Sequence, residues 1–421
     1  MRAKSGCRTA RRRRRGWRLT HWIDIIGIGE DGLKGLAEPA LTALEHAEVI
    51  IGGSRHHDLT LGLSAKRVKW PEPFSEMTET INQYRHSRLA VLVTGDPLWF
   101  SAGAKIARAF PPEELRFHPN LSAFQLACSR MRWSLADTET LTVHGRPIQQ
   151  IIPWFAQNAR MAVLTGGSGA PGDIARLLSA HGFAGSEMTV LAALGGPDEQ
   201  RIAGLAEDWA TNDPKERIPP FHTLCIECRA DQGSIPLARG PGLPDGAFET
   251  DGKFTKREVR AVTLSALAPR RHALLWDIGT GCGTIAVEWM RAAADAKAIG
   301  VDPVERRLEI ARRNALALGA PRLQLVKGVA PDALADLPDP DSVFVGGGLK
   351  PEVFEVAMAR IRPFGRLVAN AVTLESEALL AELHLSHGGE LVRIAVARAS
   401  DLGGPKGWRP LMPVTQWRWN R

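Results

Sequence analysis

A glycine-rich segment followed by an acid is the clearest chemical signal in the sequence. Asp277-Ile-Gly-Thr-Gly-Cys-Gly283 directly follows an apolar run at 273–276 and precedes a helical pattern. Glycines at alternate positions leave the backbone open to a ligand at the carboxyl edge of a sheet. The residues predicted to bind a cofactor in this loop are Asp277, Gly279, Thr280, Gly281 and Gly283.

The spacing of this loop indicates which cofactor it holds. A dinucleotide-binding fingerprint, G-x-G-x-x-G, needs a third glycine where this chain has Thr284. The next predicted strand ends at Asp302, 19 residues after Gly283. A carboxylate at that position can accept hydrogen bonds from both hydroxyls of a ribose. Together these features favour S-adenosylmethionine over NAD.

Two later strand ends extend the prediction for this half of the chain. Lys327-Gly-Val-Ala-Pro331 ends a third strand, and Gly328 and Ala330 are predicted to lie beside the adenine. The fourth strand ends in three glycines at 346–348, not in the (Asp/Asn)-Pro-Pro-aromatic motif of enzymes that methylate exocyclic base amines. Attack on the methyl group by such an amine is therefore disfavoured.

A separate set of motifs lies in the N-terminal half. Thr94-Gly-Asp-Pro97 follows the apolar run 89–93, and Gly-Asp-Pro taken alone is above all a turn sequence. Four further segments accompany it: Gly52-Gly-Ser-Arg-His-His57, His118-Pro-Asn-Leu-Ser-Ala-Phe124, Val163-Leu-Thr-Gly-Gly167 and Leu194-Gly-Gly-Pro-Asp-Glu199. Together the five segments resemble the tetrapyrrole (corrin/porphyrin) methylase family, and the resemblance covers about residues 22–229.

That resemblance implies two small α/β lobes that hold S-adenosylmethionine in a trough between them. It implies that Gly95, Asp96 and Pro97 line the methionine end of the cofactor. It places the following residues near the rest of the cofactor: Ser122, Ala123, Leu194, Gly195 and Thr223. The first loop, Gly27-Ile-Gly-Glu-Asp-Gly32, departs from the commoner Gly-x-Gly-Pro-Gly-Asp pattern of the family.

The C-terminal half resembles the decarboxylating precorrin methyltransferase family. Phe254-Thr-Lys-Arg-Glu-Val-Arg260, the loop at 277–283 and the glycines at 346–348 carry this resemblance. A chain that joins both families implies methylation of a precorrin, precorrin-6B, at C5 and C15 with loss of the C12 acetate, which gives precorrin-8 in cobalamin biosynthesis. It also implies two S-adenosylmethionine sites per chain, one in each half.

Alternating strand and helix patterns position these loops. Strands are predicted in the N-terminal half at 23–28, 48–52, 89–94, 139–143, 160–165, 188–194 and 222–228. In the C-terminal half they are predicted at 273–278, 297–301, 323–326, 342–346, 366–370 and 391–397, with helices at 283–294, 304–317, 351–360 and 373–385. A capping box at Thr255-Lys-Arg-Glu258 predicts the start of one more helix. The predicted fold class is α/β, a two-lobed tetrapyrrole methylase fold followed by a Rossmann-like methyltransferase fold with a doubly wound, largely parallel sheet.

Composition divides the chain into four parts. A basic arm at 1–18 holds nine Lys and Arg residues and no acid, so the net charge of +7 leaves −2 for the remainder. We predict that the arm is disordered and dispensable, with a nucleic-acid or acidic-partner tail and a targeting signal as alternatives. The other parts are a tetrapyrrole methylase domain at 20–230, a Pro- and Gly-rich linker at 231–247 and a Rossmann-like domain at 248–421. No apolar run is long enough to span a bilayer, so a membrane is not an expected partner. Nucleic acid is not expected either, because the chain outside the arm is nearly neutral.

The resemblance implies an anionic tetrapyrrole substrate, and its carboxylates call for basic side chains. The predicted substrate-binding residues are Arg55, His56, Lys256, Arg257, Arg260 and Lys350, with His57, Lys253 and Lys406 as further candidates. No catalytic acid or base is named, and no metal site is predicted. Cys225 and Cys228 lie three apart on a predicted strand and therefore point to opposite faces, which argues against a shared metal.

Two other functions remain open from the residues alone. An RNA methyltransferase would account for the basic arm, and a regulator that senses S-adenosylmethionine would bind cofactor without turnover. The near-neutral body argues against the first alternative, and two cofactor sites argue against the second. Five scattered cysteines suit the reducing cytoplasm, where we expect the chain to act as a homo-oligomer.

Overall fold

The computed structural model describes residues 21–401 and 403–421, so the predicted basic arm at 1–18 lies outside the described residues. The N-terminal strands are β1 (Ile23–Ile28), β2 (Val49–Gly52), β3 (Lys66–Lys69), β4 (Leu89–Thr94), β5 (Leu115–His118), β6 (Glu139–Thr142), β7 (Arg160–Leu164), β8 (Glu187–Ala192), β9 (Gln200–Leu205) and β10 (His222–Glu227). The α-helices between them are α1 (Glu38–Glu45), α2 (Ser54–Asp58), α3 (Met77–Asn82), α4 (Gly103–Ala109), α5 (Ala123–Met131), α6 (Ala170–Ala180) and α7 (Ala206–Thr211).

The C-terminal half continues the alternation. Its α-helices are α8 (Arg257–Leu267), α9 (Thr284–Ala292), α10 (Glu305–Ala317), α11 (Pro351–Arg360) and α12 (Leu374–His387). Its strands are β11 (Leu274–Ile278), β12 (Lys297–Asp302), β13 (Gln324–Lys327), β14 (Ser342–Val345), β15 (Arg366–Ala371), β16 (Glu390–Ile394), β17 (Ala397–Asp401), β18 (Lys406–Pro410) and β19 (Val414–Asn420).

The first sheet is parallel throughout, with the strand order β3-β2-β4-β1-β5. Its central strands are buried on both faces, as expected for a parallel sheet covered by helices. Along β1, Ile23 and Ile25 belong to one apolar core, whereas Ile26 and Ile28 belong to the core on the other side. A second five-stranded sheet has the order β6-β7-β10-β8-β9. Two sheets of this kind match the predicted two-lobed fold.

The third sheet carries the loop with alternating glycines. Its strand order is β13-β12-β11-β14-β15-β19-β16, with parallel pairing from β13 through β15. The strand β19 pairs antiparallel with both β15 and β16. Apolar side chains on the two faces form separate cores, one around Trp276 and one around Trp289. The predicted Rossmann-like α/β fold is confirmed, and strand order reverses at β11, where ligands bind in such sheets.

The predicted capping box at the start of α8 is wrong. The helix begins at Arg257 with Lys256 as its N-cap residue, and no side chain caps it. The Glu258 carboxylate instead accepts hydrogen bonds from Arg398 of β17 at 3.2 and 2.5 Å. An ion pair from a distant strand has therefore replaced the local bond that the sequence pattern suggested.

The predicted linker at 231–247 is only partly a linker. Up to Ser234, whose hydroxyl donates to the Gly182 carbonyl at 3.2 Å, it belongs with the N-terminal half. Leu237 and Leu243 pack on the C-terminal domain, where Leu243 is 2% exposed, whereas Arg239 between them stacks on the Trp154 ring of the N-terminal half at 4.5 Å. The backbone amides of Gly242 and Leu243 donate to the buried Glu288 carboxylate at 2.6 and 3.0 Å. Composition alone did not reveal this packing, because Gly and Pro also suit a segment fixed by backbone hydrogen bonds.

The described chain forms two compact units, and the boundary between them differs from the predicted domain boundary. One compact unit contains residues 21–138, 190–202 and 221–225, and the other contains 139–189, 203–220 and the rest of the chain from 226 onward. All residues predicted for the N-terminal cofactor site fall in the first unit, and all those predicted for the C-terminal cofactor site fall in the second. Among the described helices, none is long and apolar enough to cross a membrane.

Candidate cofactor and substrate sites

A cavity of about 780 Å³ opens at the carboxyl edge of the third sheet. Its floor is formed by the loops that follow β11, β12, β13 and β14, which include the segments 277–282, 302–303, 328–330 and 346–348. Seven of the eight residues predicted here line it: Asp277, Gly279, Thr280, Gly281, Asp302, Gly328 and Ala330. A volume of this size suits a nucleoside cofactor together with part of a second ligand.

The three glycines of the loop serve three different purposes. All have positive φ angles of 71°, 54° and 79°, which L side chains rarely adopt. A Cβ at Gly279 would lie 2.6 Å from the Gly347 nitrogen, and a Cβ at Gly283 would lie 3.0 Å from Ala311 Cβ on α10. A Cβ at Gly281 would meet nothing within 4 Å, so its open side faces the cavity. The predicted contact of Gly283 with the cofactor is therefore not supported, because that glycine lets α10 pack closely instead.

Asp302 ends β12 beside this loop and is 2% exposed. One carboxylate oxygen accepts from the Gly281 amide at 3.0 Å, and the other accepts from the Val304 amide at 2.9 Å. Each oxygen keeps a further lone pair, so the carboxylate can also accept from ligand hydroxyls in the cavity. The backbone bonds fix its orientation before any ligand binds.

Asp277 has a different role at the base of the loop. One of its carboxylate oxygens accepts from the Thr280 hydroxyl at 2.8 Å and from the Ala286 amide at 3.1 Å. The side chain is 1% exposed, and burial raises its pKa to about 7. It therefore ties the glycine loop to the first turn of α9, which fixes the shape of the cavity.

Two of the predicted substrate-binding cations line the cavity, and the others do not. Lys256 and Lys350 lie on its wall together with Lys253. Arg257 is exposed at the start of α8 and is not part of that wall. The prediction for Arg260 is contradicted, because this side chain is 0% exposed and its guanidinium is fully engaged inside the domain with Glu288 and Asp245.

The part of the cavity wall at β15 and β19 was not found from sequence. It is lined by Asn370 near the end of β15, by Val372, and by Leu411, Met412 and Val414. Two apolar side chains of this lining are exposed, Val372 (47%) and Met412 (66%). The one available signal was a polar residue, Asn370, at the carboxyl end of a predicted strand.

In the N-terminal half, the predicted cofactor loops converge on Gly95. A Cβ at Gly95 would lie 3.0 Å from Ser122 Cα, and one at Gly27 would lie 1.9 Å from the Gly95 carbonyl oxygen. Ser122 caps α5, which places Ala123 in its first turn. Only glycine allows the ends of β1 and β4 and the start of α5 to approach so closely.

The remaining predicted contacts lie around this point. Asp96 accepts a hydrogen bond from the Leu98 amide at 2.7 Å, as expected of a turn, and Pro97 beside it is buried. Leu194 packs on Ala127 of α5, and the Gly195 amide donates to Glu199 at 2.8 Å. Thr223 is buried in β10 at 3% exposure. The residues predicted for the N-terminal cofactor site thus lie on neighbouring loops and strand ends.

Arg55 and His56 connect these loops and are not free to hold a substrate. The Arg55 guanidinium pairs with Glu30, donates to Thr94 Oγ1 at 2.6 Å and stacks 4.0 Å from the centre of the Phe221 ring. His56 is 8% exposed, and burial lowers its pKa to about 4, so it is neutral at physiological pH. A neutral, buried imidazole offers no charge to a carboxylate, which contradicts the predicted role of His56.

Cys225 and Cys228 do not form a metal site with neighbouring residues. Both thiols are 0% exposed, and burial raises the pKa of each to about 12. Among the described residues there is no group of three or more His, Cys, Asp or Glu side chains arranged to hold a metal ion.

The fold and the glycine loop define the C-terminal half as a Rossmann-like methyltransferase domain, and comparison with known proteins agrees. The model of the precorrin methyltransferase domain matches residues 246–421, and that of the tetrapyrrole (corrin/porphyrin) methylases matches residues 23–210. A precorrin-6Y C(5,15)-methyltransferase [decarboxylating] of a Sinorhizobium species is 43% identical over 405 residues, which cover 96% of this chain and 97% of that protein. The chain therefore belongs to the precorrin-6Y C(5,15)-methyltransferase (decarboxylating) family, and it is a methyltransferase whose donor is S-adenosylmethionine.

Two further proteins match part of the chain. A protein of Pyrobaculum calidifontis described as a probable cobalt-precorrin-6B C(15)-methyltransferase (decarboxylating) is 41% identical over 185 residues, 41% of this chain and 93% of that protein. The crystal structure of the C-terminal domain of precorrin-6Y C5,15-methyltransferase from Rhodobacter capsulatus is 47% identical and covers 44% of this chain and 100% of its own, with a TM-score of 0.42.

Proposed function

We propose that this chain methylates C5 and C15 of the anionic tetrapyrrole precorrin-6B and removes its C12 acetate as carbon dioxide. The observation that carries this proposal is the composition of the C-terminal cavity. On the side of β11 and β12 the cavity presents Gly281 and Asp302, which suit a nucleoside. On the side of β14 and β15 it presents Lys350 and apolar side chains such as Val372, and Lys253 and Lys256 also line the cavity. A flat macrocycle with peripheral carboxylates matches that second side. The name of the Sinorhizobium relative supports the same reaction.

The residues of the cavity contribute positioning and exclusion of water. S-adenosylmethionine supplies an electrophilic methyl group, and an electron-rich carbon of the macrocycle can accept it without a strong base. Asp302 would hold ribose hydroxyls, and the open side of Gly281 leaves room for the cofactor. The three lysines would pair with substrate carboxylates, so that the reacting carbon is held close to the donor.

We further propose two cofactor sites per chain, one in each half. The loops around Gly95 and the loop around Gly281 belong to different sheets, and each combines close glycine packing with a strand end. C5 and C15 lie on opposite sides of the macrocycle, so one fixed donor could not reach both without rebinding. Two sites account for two positions.

A division of labour follows from the relatives. The C-terminal half would methylate C15 and release the acetate, and the N-terminal half would methylate C5. The Pyrobaculum relative, which matches less than half of this chain, is named for C15 methylation with decarboxylation. That name supports a separable C15 activity.

Incubation of the full chain with precorrin-6B and S-adenosylmethionine tests the overall reaction. The product should gain two methyl groups and lose one carbon dioxide, read by mass spectrometry. An unchanged macrocycle, or methyl transfer to RNA present in the same mixture, would contradict the proposal and favour the RNA methyltransferase alternative.

Division of the chain between Ile235 and Pro236 tests the division of labour. Ile235 is 83% exposed, and it separates Ser234, bonded to the N-terminal half, from Leu237, whose carbonyl accepts from Arg291 at 3.2 Å. The C-terminal fragment should add one methyl group and release carbon dioxide, and the N-terminal fragment should then add the second methyl group. Release of carbon dioxide by the N-terminal fragment alone would reverse the assignment.

A further inference from the structure

A buried hydrogen-bond network lies behind the side of the cavity that was not found from sequence. It joins Thr263 on α8, Asn370 on β15, and Gln416 and Arg418 on β19. Thr263 and Gln416 are each 0% exposed, whereas Asn370 is half-buried and lines the cavity. The network therefore reaches from the interior of the domain to the cavity wall.

The orientation of each amide follows from a residue that can only donate. Arg418 Nε donates to Gln416 at 2.7 Å, so the atom it meets must be the carbonyl oxygen, Oε1. Gln416 Nε2 then faces Thr263 Oγ1 at 3.0 Å and Asn370 at 2.8 Å. Because an amide nitrogen donates, the Asn370 atom that receives this bond must be Oδ1.

This assignment leaves one donor of Asn370 uncommitted. Asn370 Nδ2 donates one N–H to Thr263 Oγ1 at 3.0 Å, and the Thr263 hydroxyl itself donates to the Val259 carbonyl at 2.8 Å. An amide nitrogen carries two N–H groups. Within the described part of the chain, the second N–H of Asn370 meets no acceptor, and Asn370 lines the cavity. The network thus fixes a donor, not an acceptor, at this wall.

The position of Asn370 indicates which ligand receives this bond. The residues suited to the cofactor follow β11, β12 and β13, whereas β15 lies on the other side of β11 in the strand order. The same side carries Lys350, Val372 and Met412. It is the side whose apolar and cationic lining suits the methyl acceptor.

We infer that Asn370 binds the methyl acceptor in the C-terminal site by donating its free N–H to a carboxylate oxygen of the macrocycle, with Gln416 as its positioning residue. This inference rests on the proposed function, because it assigns the cavity's second ligand. A carboxylate could also come from the methionine end of the cofactor, so the experiment separates the two sources.

The test compares the full chain with Asn370→Asp, which is isosteric but replaces the N–H donor with an acceptor, and with Asn370→Ser, which is too short to reach. Equilibrium binding of precorrin-6B to the chain saturated with S-adenosylhomocysteine gives one dissociation constant. Calorimetry with S-adenosylhomocysteine alone gives the other. Thr415→Val is the matched control, since Thr415 is 5% exposed on the neighbouring strand β19, pairs with Ala371 of β15 and does not line the cavity.

Both Asn370 variants should weaken macrocycle binding about tenfold or more, because a hydrogen bond to a charged group is lost. Binding of S-adenosylhomocysteine should stay within about twofold of the wild-type value. Loss of S-adenosylhomocysteine binding with unchanged macrocycle binding would assign the bond to the cofactor, and no change in either would show that the donor is unused. Each of these results overturns the inference. If both Asn370 variants fail to fold, Gln416→Met removes the amide that orients Asn370, and the same two binding measurements are made on that variant.

Wild-type turnover reports separately on the proposed function. If the wild-type chain binds precorrin-6B but leaves its mass unchanged, the proposed reaction fails. The precorrin-6B dissociation constants of the wild-type chain and the variants still test the role of Asn370. If the wild-type chain converts precorrin-6B and the Asn370 variants bind precorrin-6B as tightly as the wild-type chain does, only the inference fails.

Discussion

Arg260 Nε donates to a Glu288 carboxylate oxygen at 2.5 Å, and the two side chains are 0% and 1% exposed. The same carboxylate accepts the amides of Gly242 and Leu243, and the same guanidinium also donates to the Thr255 carbonyl at 2.7 Å. One buried pair therefore holds α8, α9 and the end of the predicted linker together. Removal of either partner would leave a buried charge without its counterion.

Glu288→Ala should destabilise the C-terminal domain by about 3–5 kcal/mol, because Arg260 and two backbone amides lose their acceptor. Thermal unfolding of the purified chain measures the change. Glu249→Gln is the matched control, since Glu249 pairs with Arg313 at the surface with both side chains about half exposed. Equal losses of stability in the two variants would show that the buried pair contributes no more to stability than the surface pair does.

Alanine substitutions should separate the roles of Gly281 and Gly283. Gly281→Ala places a methyl group in the open cavity, so affinity for S-adenosylhomocysteine should fall about tenfold or more, while its positive φ costs only the backbone strain that Gly283→Ala shares. Gly283→Ala should instead lower the melting temperature, because its Cβ would lie 3.0 Å from that of Ala311. Calorimetry and thermal unfolding give the two readouts. The reverse pattern would contradict the assignment of Gly281 to the cavity.

Asp302→Asn should weaken one of two S-adenosylhomocysteine sites by about ten- to a hundredfold, the cost of a lost charged acceptor. The second site, around Gly95, should be unaffected because it belongs to a different sheet. Calorimetric titration of the full chain measures both sites. A single site in the wild-type chain would exclude the proposal of two cofactor sites.

The buried Asp277 predicts a particular pH dependence of stability. Its pKa is raised from 3.8 to about 7, so the unfolded chain releases this proton at lower pH than the folded chain does. The folded domain therefore loses stability as pH rises from about 4 to about 7, and the loss is complete above that range. Asp277→Asn should remove this part of the pH dependence. The difference in melting temperature between pH 5 and pH 8 checks it, and an unchanged difference in the variant would contradict the assignment.

Sequence patterns predicted the Rossmann-like half closely because its signals are local. Each predicted strand from 273 to 370 is present within about one residue of its expected bounds, and the glycine loop and Asp302 line one cavity. The strands that were missed, β3, β5, β9, β17, β18 and β19, are short or partly exposed, except β19, whose seven residues mix buried apolar and polar side chains. Their sequences, such as Lys-Arg-Val-Lys in β3, lack the apolar run that identifies a buried strand.

Two of the site residues that sequence reasoning misassigned, Arg260 and Arg55, are charged groups with partners far away in the chain. Arg260 meets Glu288 and Arg55 meets Glu30, pairs separated by 28 and 25 residues in the sequence. Nothing in the local pattern distinguishes such an arginine from one that faces a ligand. Asn370 was missed for the opposite reason, because its orientation depends on Gln416 and Arg418, which come from a strand that was not predicted.

The antiparallel strand β19 completes the C-terminal sheet out of chain order. The strand β16 leaves the ribosome before β19, yet in the sheet it pairs with β19. Until residues 414–420 are made, β15 lacks its neighbour, β16 has no place in the sheet, and Asn370 lacks the amide that orients it. A C-terminal domain without residues 414–420 would therefore keep the residues of its glycine loop but lack the strand that orients the wall for the second ligand.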